Sequence, residues 1–280
     1  KVEDVVVDTA RSTAHAYGSG TIGSRGAVIA GGAVARAAGV IREKARAVAA
    51  NLLEAAVEDI ELAEGSAYVK GAPDTVVSMA DVAGAIYFDM STWPEGFDPT
   101  LEATQAFDMP RAMFSNGAHA ILVELDPETG FVRFEKVYSV EDCGTVINPN
   151  IVEGQIRGGV VQGIGASVFE ELAYDDSGQL LTTTFLDYGL PTMDVSPPFE
   201  IRHLETPSKY SASGVKGMGE SGLIAAPAAV LNAVNDALTP FGVVLRELPL
   251  TPEKVLRAMS VPSAPPNAVP ADGAERPSSR

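Results

Sequence analysis

An acidic residue, Glu220, stands among glycines directly ahead of a helix-forming stretch. The segment reads Lys216-Gly217-Met218-Gly219-Glu220-Ser221-Gly222. Glycines leave the backbone free on both sides and give the carboxylate little local side-chain cover, so it can project into a cavity as a general base. A second interpretation stays open, in which Glu220 is an exposed first-turn acid that the helix dipole stabilises.

The same glycines also have the spacing of a dinucleotide-binding turn. Gly217, Gly219 and Gly222 match G-x-G-x-x-G. That turn follows a buried apolar strand and is followed by an acid at a strand end about 20 residues later. The preceding residues 205–214 are polar, and no such acid follows. We therefore disfavour an NAD-type dehydrogenase.

A second candidate site combines two glutamines with four glycines. Each interior glycine costs a helix roughly 1 kcal/mol relative to alanine, so some group must approach this face closely. Gln155 and Gln162 share the face at helical spacing and could hold a polar ligand. Tight helix packing with solvated glutamines explains the pattern equally well. The glycines are Gly158, Gly159, Gly163 and Gly165.

A third glycine-rich segment, Gly18-Ser19-Gly20-Thr21-Ile22-Gly23-Ser24-Arg25-Gly26, precedes a long helical stretch. Turned backbone N–H groups, several hydroxyls and a helix N-terminus together favour an anion. The segment therefore predicts a phosphate cradle. A flexible turn in which Ser24 caps the helix is the alternative.

The elements that must position these segments are helices and strands without strict alternation, which predicts an α+β fold. We expect one domain over residues 1–260 and a disordered, Pro- and Ala-rich tail over 261–280. The predicted elements are a helix from Gly26 to about Ala56, a hairpin of strands 120–125 and 131–138 joined by 126–130, a helix over 151–172, and a helix starting near Pro227 as its first-turn proline.

Composition excludes several classes of function. A net charge of −17 argues against binding to nucleic acid or to an anionic membrane. No apolar run is long enough to span a bilayer. The only cysteine, Cys143, cannot form an internal disulfide or build an iron–sulfur site, which suits the cytoplasm. We expect Cys143 to pack rather than react, and His15, His119 and His203 to be packing or surface residues.

Three segments in this order resemble the second molybdenum-cofactor-binding domain of the xanthine oxidase, aldehyde oxidase and carbon monoxide dehydrogenase large subunits, the molybdenum hydroxylases. The resemblance covers about Val5 to Glu253. The segments are Val140-Glu141-Asp142-Cys143-Gly144-Thr145-Val146-Ile147-Asn148-Pro149, then Glu153-Gly154-Gln155 with Gly158-Gly159-Val160-Val161-Gln162-Gly163, and finally Lys216 to Gly222.

The resemblance implies a site built on molybdopterin, in its cytosine dinucleotide form, with molybdenum. Glu220 is then the catalytic base for hydroxylating an aldehyde or N-heterocycle carbon with oxygen from water. The implied cofactor-binding residues are Gln162, Gly159, Gly163, Thr21, Gly23, Ser24, Arg25 and Gly219, whereas no residue is expected to ligate the metal directly.

The resemblance also implies partners. They are the N-terminal part of the same large subunit, an iron–sulfur small subunit, an FAD medium subunit and a small-molecule substrate. The family's other glycine-rich cofactor segment and its substrate-facing loop have no counterpart in this sequence. A non-catalytic molybdopterin-binding or assembly module is therefore the alternative.

Overall fold

The computed structural model describes residues 2–9, 18, 20–109 and 113–260. Helices and two three-stranded sheets confirm the α+β class. The described helices are α1 (Gly26–Leu52), α2 (Met79–Phe88), α3 (Pro149–Val168), α4 (Ser221–Ala237) and α5 (Pro252–Ser260), and the strands are β1 (Ile60–Ala63), β2 (Ser66–Val69), β3 (Ala72–Ser78), β4 (Asn116–Leu125), β5 (Val132–Asp142) and β6 (Phe199–Leu204).

The chain divides into two compact units. The first comprises Lys1–Met113 with Pro207–Gly217, and the second comprises Phe114–Thr206 with Met218–Arg280. The assignment of residues 1–260 to one cofactor-binding domain stays a prediction. The proposed tail, 261–280, lies outside the described residues, as do His15 and Ser19.

In the first unit, α1 and α2 pack on an antiparallel sheet of order β1-β2-β3. The helix α1 is rich in alanine, the residue with the highest helix propensity, and its small side chains allow close packing. It begins at Gly26, as predicted, and ends at Leu52 rather than near Ala56. The core residues are Ala45, Val48, Ala49, Ala50, Ile60, Ala67, Val82, Ala85 and Ile86.

Basic residues of α1 hold the loops of the first unit. The Lys44 ammonium donates to the Asp98 carboxylate at 2.6 Å and to the Thr100 carbonyl at 2.9 Å. This hydrogen bond holds the pKa of Asp98 below its ordinary value. Arg46 donates to the carbonyls of Val57 and Ile60 at 2.6 and 3.1 Å. Lys44 and Arg46 of this helix therefore contact neighbouring segments of the first unit.

The second unit contains a mixed sheet of order β4-β5-β6. Strands β4 and β5 pair antiparallel from Asn116↔Asp142 to Leu125↔Val132, and β5 pairs parallel with β6. A parallel neighbour requires a crossover connection, and α3 lies within the connection between β5 and β6. One sheet face and the helices α3 and α4 share a core that includes Ile121, Val137, Ile156, Val160, Val230 and Val234.

The predicted hairpin is confirmed, and its turn is organised by Asp126. The Asp126 carboxylate accepts hydrogen bonds from the Thr129 hydroxyl at 2.7 Å and the Glu128 amide at 2.9 Å. These bonds, with the Thr129 hydroxyl contributing most, hold the pKa of Asp126 below its ordinary value. Gly130 closes the turn with a φ of 74°.

The predicted start of the last long helix near Pro227 is wrong. The helix α4 begins at Ser221, and Pro227 lies inside it. A proline there removes one backbone hydrogen bond, so the preceding turns need other support. Gly222 and Ala226 supply it, because both pack directly against α3. Tertiary contact thus extends the helix through a residue that ordinarily breaks it.

In the part of the chain that the structure describes, no helix has the length and apolar character needed to cross a membrane.

Candidate cofactor site

The structure places Glu220 as the N-cap residue of α4, with its side chain exposed. Its carbonyl oxygen accepts hydrogen bonds from the Leu223 and Ile224 amides at 3.1 and 3.3 Å. The adjoining Met218 is 8% exposed and belongs to the core, whereas Gly219 is exposed. The buried Met218 side chain therefore anchors the turn before α4, and the Glu220 side chain at the end of this turn lies on the surface of the second unit.

Two glycines of α3 lie directly against α4. A Cβ added at Gly159 would be 2.9 Å from the Leu223 backbone nitrogen, and one at Gly163 would be 2.5 Å from the Ala226 Cβ. In the reverse direction, a Cβ at Gly222 would be 2.6 Å from the Ile156 carbonyl oxygen. Close helix packing therefore accounts for these glycines, one of the two explanations left open by the sequence.

The same packing fixes Gln162 relative to Glu220. Gln162 is exposed and lies one residue before Gly163 and three after Gly159 on α3. Gly222, the residue that Gly159 contacts, is two residues after Glu220. A helical turn advances about 5.4 Å, so Gln162 and Glu220 each lie within about one turn of the contact between α3 and α4.

The Asp142 carboxylate joins the loop after β5 to the segment after β6, a role that the sequence did not show. Its Oδ1 accepts from the Gly144 amide at 2.9 Å and from the Thr206 amide at 3.1 Å. The neighbouring Glu205 carboxylate accepts from the Val146 amide at 3.2 Å. These bonds fix the chain immediately before α3. An Asp-x-Gly pattern signals the local bond, but the bond to Thr206 spans 64 positions.

Replacing Asp142 with alanine should lower the free energy of unfolding by about 3 kcal/mol, because a hydrogen bond to a charged group contributes about 1.5–3 kcal/mol and two backbone donors lose their acceptor. Chemical denaturation measures the change. Asp142→Asn retains an acceptor oxygen and should lose distinctly less. Equal losses in the two variants would mean that these bonds do not carry the stability.

A buried polar pair, His119 and Glu141, lies inside the second unit. The His119 Nε2 is 2.8 Å from the Glu141 Oε1, and both side chains are 0% exposed. Gly117 pairs with Glu141 across the strands and leaves room for the carboxylate, since a Cβ there would be 2.5 Å from Oε2. The packing role expected for His119 is confirmed. Its partner could not be identified without the register of the sheet.

Cys143 is 3% exposed within the core of the second unit. Burial raises the pKa of its thiol, which disfavours the reactive thiolate. The prediction that Cys143 packs is confirmed. His203 is half-buried, with its Nε2 3.9 Å from the Glu153 Oε1.

In the first unit, Thr21 to Arg25 form a tight turn ahead of α1. Gly23 and Ser24 have φ values of 60° and 56°, and Arg25 rather than Ser24 is the N-cap residue. The alternative in which Ser24 caps the helix is therefore wrong. A left-handed serine costs roughly 1–2 kcal/mol, strain that occurs most often at ligand sites.

Gly217 supports this turn from within the same unit. A Cβ at Gly217 would contact the Ser24 carbonyl oxygen and lie 2.9 Å from its carbon. The backbone therefore approaches Ser24 where only glycine fits. Residues 205–214, all described, contain no strand, which agrees with the argument against a dinucleotide-binding turn at Gly217.

The model of the molybdopterin cofactor-binding domain matches residues 1–197 of this chain. The chain belongs to this molybdopterin-binding family. It is 71% identical to the nicotine 6-hydroxylase large subunit of Paenarthrobacter nicotinovorans, covering 91% of this chain and 31% of that protein. It is 36% identical to the carbon monoxide dehydrogenase large chain of Afipia carboxidovorans, covering 84% and 29%.

A solved structure of quinoline 2-oxidoreductase from Pseudomonas putida 86 also shares the fold. Its TM-score is 0.85 at 50% identity, with 90% of this chain and 32% of that chain covered. The chain therefore spans about a third of the length of these relatives. The resemblance to molybdenum hydroxylase large subunits is confirmed.

The residues present fit a bound molybdopterin. The turn at Gly23 and Ser24 combines a helix N-terminus with positive-φ backbone, and a Cβ at Gly20 or Gly23 would meet no atom within 4 Å. Open space beside turned backbone at a helix N-terminus suits phosphate oxygens. Among the described residues, no group of three or more His, Cys, Asp or Glu side chains could hold a metal ion.

Proposed function

We propose that this chain is part of the large catalytic subunit of a molybdenum hydroxylase that inserts oxygen from water into a carbon–hydrogen bond of its substrate. The observation that carries the proposal is the presentation of Glu220. An exposed carboxylate begins α4, and backbone contact between Gly159 and Gly222 locks that helix to the one carrying Gln162.

The overall reaction requires a base and an electron acceptor. The substrate carbon–hydrogen bond and one water become a carbon–oxygen bond, two electrons and two protons. We assign proton removal to the Glu220 carboxylate, which can accept a proton from the attacking oxygen in one geometry and release it to solvent in another. When bound, the molybdenum cofactor supplies the redox centre that receives the electron pair.

The other candidate residues bind and orient. The Gln162 amide can donate to and accept from polar atoms of the cofactor at the same time. Thr21, Gly23, Ser24 and Arg25 offer backbone donors, hydroxyls and a cation to the phosphates. Gly219, Gly159 and Gly163 act through their lack of a side chain, since Gly219 places no side chain next to the Glu220 carboxylate and the other two admit α4.

The substrate proposed for this chain is an electron-poor carbon of an aromatic N-heterocycle in preference to an aldehyde. Nicotine 6-hydroxylase and quinoline 2-oxidoreductase, at 71% and 50% identity, both have names that specify ring heterocycles. Ring nitrogen withdraws electron density from the adjacent carbons, which makes them open to attack by an oxygen nucleophile. Aldehydes serve as the comparison class in the assay.

The assembly that we propose is cytoplasmic and contains several polypeptides. Electrons leave through iron–sulfur clusters on a small subunit and FAD on a medium subunit, because one cysteine cannot hold a cluster. The N-terminal part of the large subunit completes the active site. The pterin is proposed as its cytosine dinucleotide form.

Metal and pterin analysis of the purified complex tests this proposal. We expect near-stoichiometric molybdenum per large subunit, a cytosine nucleotide released on hydrolysis, and turnover of N-heterocycles above that of aldehydes. The second candidate function is a non-catalytic binding or assembly module. A folded complex that holds the cofactor yet turns over neither substrate class would favour the module. A folded complex without molybdenum or pterin, under adequate supply, would contradict both candidates.

A further inference from the structure

The loop between α3 and β6 exposes a concentration of large apolar side chains. We call residues 172–193 the apolar loop. Leu186 is 93% exposed, Met193 86% and Phe185 80%, and Leu172, Tyr174 and Leu181 are each more than half exposed. Single exposed apolar residues are ordinary, but a cluster within about twenty positions marks a surface that another molecule covers.

The polar groups of the apolar loop bond to one another and leave its apolar groups outside. The Thr184 hydroxyl donates to the Asp187 carboxylate at 2.9 Å, and that carboxylate accepts from the Thr184 amide at 3.2 Å. The Thr184 oxygen also accepts from the Leu186 amide at 3.2 Å. A solvated loop would ordinarily show the opposite arrangement, with polar side chains outward.

Hydrogen bonds to the segment directly after α3, residues 170–173, order the loop. The Thr182 hydroxyl, on a residue that is 8% exposed, accepts from the Ala173 amide at 2.9 Å and donates to the Glu171 carbonyl at 3.0 Å. The Tyr188 hydroxyl donates to the Glu170 carboxylate at 2.7 Å. The apolar side chains are therefore held on a preformed surface, which lowers the entropy lost when a partner binds.

An open cleft lies within this surface. Its volume is about 340 Å³, and Leu172, Phe185 and Tyr188 contribute to its lining together with the hydroxyl-bearing residues 182–184. The cleft is large enough for a side chain of a partner protein, and buried side chains that fill such pockets dominate the stability of protein interfaces.

We propose that the apolar loop docks onto the remaining part of the large subunit, the part that the relatives carry outside the region shared with this chain. The shared region is about a third of each relative, so a much longer polypeptide is available to cover the surface. The loop lies within residues 1–197, the part of the chain that matches the family model.

The apolar character of the surface favours this occupant over a separate subunit. Permanent interfaces are more apolar than dissociable ones, and covalent linkage keeps the two surfaces at millimolar effective concentration. Asp175 and Asp176 within the loop and Asp194 directly after it accompany the apolar side chains, so the covering surface should carry basic residues around an apolar centre. The inference rests on the proposed membership of a large subunit.

Site-specific photocrosslinking in the assembled complex tests the inference. A benzophenone amino acid is placed at position 185 and, in a second variant, at position 193, and crosslinked peptides are identified by mass spectrometry. We expect both positions to crosslink within the large subunit, to peptides outside the 280 residues described by this sequence. The control is position 128 in the exposed turn between β4 and β5, where we expect no such crosslink.

Crosslinks to another subunit or to a second copy of the chain would overturn the inference, as would yields at positions 185 and 193 no higher than at position 128. Molybdenum content, measured on the same samples, separates this result from the proposed function. A complex that holds molybdenum but lacks the crosslinks contradicts only the docking surface. A complex with the crosslinks but without molybdenum contradicts only the proposed function.

Discussion

Replacing Glu220 with glutamine is expected to lower turnover by at least ~10²-fold while molybdenum content stays at the wild-type level, since loss of a general base typically costs 10²–10⁴-fold. Glutamine keeps the size and hydrogen-bonding reach of glutamate but cannot accept the proton. Steady-state kinetics and metal analysis on the same preparation measure both quantities. The fall should appear in kcat as well as in kcat/KM, because proton removal belongs to the chemical step.

The chain offers a matched control for this substitution. Glu253 is an exposed acid in the first turn of α5, so Glu253→Gln makes the same chemical change at another helix start. Its turnover should be unchanged. Joint loss of activity and molybdenum in the Glu220 variant would instead indicate that the carboxylate holds the cofactor site together. Wild-type turnover with full molybdenum would exclude Glu220 as the base.

Gly159→Ala is expected to destabilise the second unit by about 1–3 kcal/mol, the usual cost of forcing extra atoms into a packed interface. The added Cβ would lie 2.9 Å from the Leu223 backbone nitrogen, so α3 and α4 must separate. Because this contact positions Gln162 relative to Glu220, turnover should fall as well. Chemical denaturation and steady-state kinetics provide the two measurements.

Gly158→Ala is the control, one residue away on the same helix. A Cβ at Gly158 meets no atom within 4 Å, so the substitution adds helix propensity of about 1 kcal/mol without a clash. We expect this variant to be at least as stable as the wild type. If both variants were equally stable, close packing would not be the reason for glycine at position 159.

The candidate site was only partly readable from the sequence. Glycine spacing identified Glu220 and the turn at Ser24 because both depend on local backbone freedom. The glycine stripe on α3 allowed two explanations, and only the position of α4 showed what approaches Gly159 and Gly163. The hydrogen bond from the Thr206 amide to Asp142 and the contact between His119 and Glu141 were not predicted, because each joins residues far apart in sequence.

The sequence by itself determined the α+β class, the hairpin with its Asp126 turn, and the helices that begin at Gly26 and near residue 150, because these follow from local propensity and periodicity. The short strands β1 to β3, the parallel pairing of β6 and the passage of α4 through Pro227 were decided only by tertiary structure. Strands β1 and β2 have four residues each, too few to show a period, and register and helix contacts depend on residues that the chain brings together only when it folds.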